Sequence, residues 1–131
     1  MKRNMDLIRA LLLRLEAEPV LAGRRSIFRW GDSFFSFQEY SQDDAIEHFR
    51  LLLENGYISG PPPEEQGTNF FIVTGLSWKG HELIDTIRSP EIWKRTKAGA
   101  EKIGGLGIDL ILELAKAEGK TFLSKHLGIT F

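Results

Sequence analysis

A chain of 131 residues with 42% apolar and 11% aromatic residues can build a core without covalent staples. It holds no cysteine, which excludes a disulfide frame, a thiolate nucleophile and thiolate metal ligands. Net charge is −1 but segregated: residues 1–30 carry +4, residues 31–65 carry −7 and residues 66–131 carry +2, so the middle of the chain is poorly suited to a phosphate backbone.

The first stretch, MKRNMDLIRALLLRLEAE, opens with cations, but Arg9 and Arg14 interrupt its apolar residues, so it is neither a signal-peptide core nor a spanning helix. A cytoplasmic protein without a membrane contact is expected. Asn4 caps a helix with Asp6 in its first turn, and Ile8, Leu11, Leu12 and Leu15 recur at helical spacing until Pro19. Arg9 and Arg14 read as its solvated face.

Residues 24–37, RRSIFRWGDSFFSF, read as a hairpin in which Ile27–Trp30 and Phe34–Phe37 flank a Gly31-Asp32 turn. So many aromatics need cover, from the long helices or from another chain. Ser41 then caps a second helix with Asp44 three residues on, and Asn55-Gly56 stops it. Ala45, Ile46, Phe49, Leu52 and Leu53 form its buried stripe. Its outer face carries Asp43, Asp44, Glu47 and Glu54 against Arg50 alone, where a helix that reads base edges would offer Arg, Lys, Asn or Gln. Residues 33–40 look extended, so a separate short helix before this one is not expected.

Tyr57–Ile58 and Phe70–Val73 read as the two strands of a β-ribbon whose long tip holds Pro61, Pro62, Pro63, Glu64 and Glu65. The prolines deny the tip strand donors, and the glutamates suit it poorly to phosphate. Ser77 caps a helix running to about Arg88, with His81, Leu83, Ile84 and Ile87 as candidates for its inner face. Ser89-Pro90-Glu91 restarts a helix that carries Trp93, Thr96 and Ala100 on one side and Lys94, Arg95, Lys97 and Lys102 on the other. After Gly104-Gly105, residues 107–127 are helical in pattern, with Gly119 as a candidate kink. The expected architecture is α+β: a winged-helix-like domain of N-terminal helix, short β-hairpin, acidic helix and β-ribbon wing, with a C-terminal helical extension. Residues 1–131 read as one domain, 1–88 the winged core and 89–131 an extension suited to a dimer contact.

Four stretches carry a family resemblance: Met1–Arg9 (MKRNMDLIR), Leu52–Ile58 (LLENGYI), Leu76–Arg88 (LSWKGHELIDTIR) and Ile92–Lys97 (IWKRTK). Together they resemble a small family of uncharacterised bacterial and prophage proteins, a domain-of-unknown-function family. Ser77 stands where that family's pattern has threonine, and either hydroxyl can cap a helix. The resemblance implies a winged-helix-like fold and brings no activity, catalytic residue or ligand.

His48 with Asp44, and His81 with Asp85, place a histidine and a carboxylate on one face of each of two helices. Two such pairs could hold a divalent cation if the helices met, but hydrogen-bonded histidines at a helix interface are the expectation, so neither metal nor cofactor is expected. Nothing has the spacing of an activated nucleophile, and Gly104-Gly105-Leu106-Gly107 lacks the strand and lysine of a phosphate loop. Trp78-Lys79 and Trp93-Lys94-Arg95 set aromatics beside cations, a pattern that stacks on bases or, more commonly, anchors packing.

Three functions fit. The leading expectation is a non-enzymatic regulatory or adaptor module acting through protein contacts, its own copies included, with Phe28, Trp30, Phe34 and Phe35 as the candidate partner surface. The alternative is a winged-helix transcriptional regulator that holds double-stranded DNA through Lys2, Arg3, Arg24 and Arg25. An enzyme would require His48 and His81 to converge in a pocket.

Overall fold

The computed structural model describes residues 2–19, 24–102, 104 and 107–128. It is a mixed α+β chain. Helix α1 spans Met5–Ala17, strand β1 Ser26–Arg29 and helix α2 Gln42–Glu54, with a 3-10 turn at Ser33–Phe35 between the last two. Strand β2 (Ile58–Ser59), a second 3-10 turn at Pro63–Glu65, strands β3 (Phe70–Val73) and β4 (Gly75–Leu76), and helices α3 (Trp78–Ile87), α4 (Pro90–Lys102) and α5 (Ile108–Leu127) follow. The chain divides into two compact units, Met1–His81 and Glu82–Phe131.

Helices α1 to α4 begin where side chains satisfy the free backbone donors of a first turn. The Asn4 side chain accepts from the backbone N–H groups of Asp6 and Leu7, Ser41 Oγ from that of Asp44, Ser77 Oγ from that of Gly80 and Ser89 Oγ from that of Ile92. Gly56 ends α2 at φ +80°, a left-handed conformation that costs glycine little.

In the first unit, Leu7, Ile8, Leu11, Leu12 and Leu15 of α1 meet the buried stripe of α2. The core is aromatic at its centre. Phe49 is fully buried, and its ring centroid lies 5.1–5.8 Å from the rings of Phe28, Phe34, Phe35 and Phe71.

The sheet differs from the expected pairing in two places. The hairpin at Gly31-Asp32 does not form, because β1 pairs antiparallel with β3 in the register Ser26↔Val73 to Arg29↔Phe70. Asp32 instead closes a tight turn, its carboxylate accepting the Arg29 N–H at 2.8 Å, and residues 33–35 wind into the 3-10 turn rather than a strand. Phe34 and Phe35 are adjacent and both buried. A strand would send them to opposite faces, whereas the 3-10 turn admits both to one core. The same turn supplies a short helical element before α2 where extended chain was expected. Arg14 does more than solvate α1: its guanidinium donates to the carbonyls of Phe34 and Ser36 at 3.0 and 2.7 Å and lies 3.8 Å from the Phe37 ring centroid.

The second difference is in the ribbon. Strand β2 pairs with β4, Ile58↔Leu76 and Ser59↔Gly75, while Phe70–Val73 is committed to β1. The returning chain thus serves two partners in succession, and the Thr74 N–H donates to Ser59 O at 2.8 Å between them.

Strand β2 and the first turn of α3 approach closely. A Cβ on Gly80 would fall against the Tyr57 carbonyl oxygen, a backbone atom that cannot swing aside. Gly80→Ala is therefore expected to cost about 1–3 kcal/mol or more through forced backbone shifts, measured as a lowered urea midpoint.

In the second unit α4 packs on α5, burying Trp93, Thr96 and Ala100 of the first and Ile111 and Ala115 of the second. Helix α5 runs through Gly119 for 20 residues, so Gly119 does not divide it, and Leu127 at its end is 63% exposed. Leu83, Ile84 and Ile87 of α3 are buried, but His81 is exposed and does not belong to the inner face.

Candidate functional site

The outward face of α2 is the most distinctive surface of the first unit. Asp43, Asp44, Glu47 and Glu54 are all exposed on it. Asp43 and Asp44 lie in the first turn, where the helix dipole favours negative charge. Glu54 lies in the last turn, where the dipole opposes it, so helix stability does not account for its charge. Arg50 is committed among them, pairing with Glu47 at 3.1 Å while its guanidinium lies 5.7 and 5.9 Å from the Phe71 and Trp30 rings. The adjacent ribbon tip adds the exposed Glu64 and Glu65.

One side chain ties the tip to β3. Gln66 accepts the Ile72 N–H on Oε1 at 2.6 Å, and its Nε2 donates to Ile72 O at 3.0 Å and Pro61 O at 2.7 Å. Trp78 stands at the start of α3, 82% exposed. Its neighbours tie the chain to the end of α2: Ser77 Oγ donates to Gly56 O, and Lys79 Nζ donates to Asn55 O at 3.3 Å while lying 4.3 Å from the Tyr57 ring centroid. Trp78 is thus not a packing anchor.

The aromatic residues expected at a partner surface lie elsewhere. Phe28, Phe34 and Phe35 are buried in the core, which removes them from any docking face. Trp30 is half-buried at the core's edge, its carbonyl accepting from Gln42 Nε2 at 2.6 Å and its indole N–H buried without an acceptor. Two like-facing aromatic strands would have exposed part of the set; the 3-10 turn folds them inward instead. Lys2, Arg3, Arg24 and Arg25 are all exposed, and none forms an ion pair among the described residues.

His48 is buried, and both ring nitrogens are engaged. Nδ1 lies 2.7 Å from the Asp44 carbonyl oxygen and so carries the proton, while Nε2 accepts the Asn4 N–H at 2.8 Å. With both nitrogens bonded to main chain, the ring has no free lone pair to offer a metal. His81 lies instead on the lip of an open cleft of about 350 Å3, with Glu16, Glu18 and Thr74. Among the described residues no group of three or more His, Asp or Glu side chains is placed to hold a metal ion, and no helix is long and apolar enough to cross a membrane. Burial lowers the Arg9 pKa, with Asp6 opposing the shift. Burial, then the Asp6 and Glu39 carboxylates, raises that of Tyr40.

The family model described as "Hypothetical protein (DUF2513)" matches residues 2–107. The chain belongs to this family. An uncharacterized protein of Haemophilus influenzae is similar at 33% identity over 128 residues, 98% of this chain and 100% of that one. The DUF2513 chain is also 33% identical over 70 residues to the small ribosomal subunit protein uS8 of Prochlorococcus marinus, a match to 47% of this chain and about half (53%) of that protein. No solved structure matches. The DUF2513 match takes in the acidic α2, the ribbon tip and Trp78, and stops before α5.

Proposed function

We propose that this DUF2513 chain is a non-enzymatic regulatory or adaptor module, built on a winged-helix-like unit, that acts through protein contacts and associates with its own copies. The order α1, β1, short helical turn, α2 and ribbon supports the winged-helix reading, with α2 in the place of a recognition helix. One observation carries the function: α2 and the ribbon tip, the two elements such a unit would lay on duplex DNA, expose six carboxylates and commit their one arginine internally. A surface that repels phosphate loses the term that supplies most nonspecific DNA affinity. It is instead complementary to a basic protein face, with exposed Trp78 as an aromatic anchor beside it. The engagement of both His48 nitrogens supports the absence of an acid–base pair with His81.

This reading predicts that the wild-type chain does not bind a random-sequence duplex measurably at 50 mM salt. Glu47→Lys combined with Glu54→Lys should introduce binding that weakens steeply as salt is added, read by fluorescence anisotropy. A second reading, duplex DNA held by Lys2, Arg3, Arg24 and Arg25, is favoured by the exposure of all four cations. It requires salt-sensitive binding by the wild type that is lost when those four are reversed to glutamate.

A further inference from the structure

The outer edge of β3 is completed by a side chain where a strand would be expected. Trp30 N–H donates to Asn69 O at 3.0 Å, in the register that pairs Phe28 with Phe71. Backbone groups alternate along an antiparallel ladder, so Phe71 and Val73 turn theirs toward β1, and Phe70, Ile72 and Thr74 turn theirs to the opposite edge. On that edge Thr74 is served by Ser59 of β2. Strand β2 stops at Ser59: Gly60 still packs against the Ile72 carbonyl and the Val73 Cα, but Pro61-Pro62-Pro63 beyond it have no N–H to offer. At Ile72 the carboxamide of Gln66 supplies both the acceptor and the donor that a neighbouring strand's peptide group would have supplied.

We propose that this edge of β3 is a strand-addition site which Gln66 keeps closed, and that its occupant when the tip lifts is the same edge of a second copy. The Gln66 carboxamide demonstrates the chemistry the edge accepts, since it is a peptide group in all but connectivity. The occupant follows from self-complementarity. Ile72 presents one donor and one acceptor, so two copies related by a two-fold axis satisfy each other there. The edge segment Phe70-Phe71-Ile72-Val73-Thr74 has no charged residue to oppose such pairing. The charges and prolines that would oppose it, Glu64 and Glu65 with Pro61–Pro63, belong to the tip that lifts away. The inference rests on the self-association proposed above and gives it a location.

Gln66→Ala should shift the monomer–dimer equilibrium toward dimer by tenfold or more in concentration, measured by sedimentation equilibrium. The Ile72 amide should resist hydrogen exchange in the dimer and lose that protection on dilution. Gln66→Glu, which retains the shape, should dimerise at neutral pH, where a carboxylate cannot donate to the Pro61 and Ile72 carbonyls. It should revert part-way toward monomer in acid, where the protonated group regains one donor for the Ile72 or the Pro61 carbonyl. A folded Gln66→Ala whose monomer–dimer equilibrium matches that of the wild type would overturn the proposal, as would a dimer whose Ile72 amide exchanges freely. If Gln66→Ala does not fold, a Gln66→Glu dimerisation that ignores pH overturns it equally. Neither failure touches the DNA titration, which tests the protein-contact reading separately.

Discussion

Replacing Phe49 by alanine is expected to remove about 3–5 kcal/mol of stability, the range for deleting a buried aromatic ring. The site leaves little room for collapse. Four other rings surround Phe49 within 6 Å, and they come from β1, the 3-10 turn and β3. Each wall of the cavity belongs to a separately anchored element, so relaxation of one does not fill the space. Since small proteins are stable by only about 5–15 kcal/mol, the loss is a large fraction of the total. Urea unfolding followed by circular dichroism measures it, and a loss below about 1 kcal/mol would mean that the aromatic cluster is not the centre of the core.

His48→Ala is expected to cost about 2–4 kcal/mol, combining a cavity with an unsatisfied donor. The imidazole spans two helices: it bonds within α2 to the Asp44 carbonyl and reaches α1 through the Asn4 N–H. Asn4 is also the N-cap of α1, so the loss of His48 loosens the residue that satisfies Asp6 and Leu7. Asn4→Ala alone should cost about 1 kcal/mol, and the double variant should be non-additive because the two residues share one junction. Additive costs in a double-mutant cycle would show that the Asn4 side-chain cap and the His48 bridge act independently.

These two residues show what the sequence made legible. Phe49 follows from helical periodicity, and so do the helix starts at Asn4, Ser41, Ser77 and Ser89, because caps and apolar stripes are local signals. His48 was expected at a helix interface, but its partner is a backbone N–H 44 residues away, which no spacing rule names. The strand order was obscured for a related reason. Gly31-Asp32 carries a strong local hairpin signal, yet the strand it feeds pairs with residues 70–73, and two adjacent buried phenylalanines are the sign that residues 33–35 are no strand. Arg14 looked like a solvated cation because its acceptors are carbonyls, which have no signature in sequence. Gln66 was hidden for the same reason: its carboxamide bonds only main chain. The acidic face of α2 was visible from the start, since charge on the outer positions of a helix needs only the wheel and the side-chain types.

The most direct measurement is light scattering on the purified chain at 50 and 200 mM salt, with and without a random-sequence DNA duplex. If protein contacts define this module, the mass should exceed that of one chain as concentration rises, persist at the higher salt and remain unchanged by DNA. A complex that contains the duplex at 50 mM salt and dissociates at 200 mM would contradict the account. The exposed cations at Lys2, Arg3, Arg24 and Arg25 would then be its functional surface.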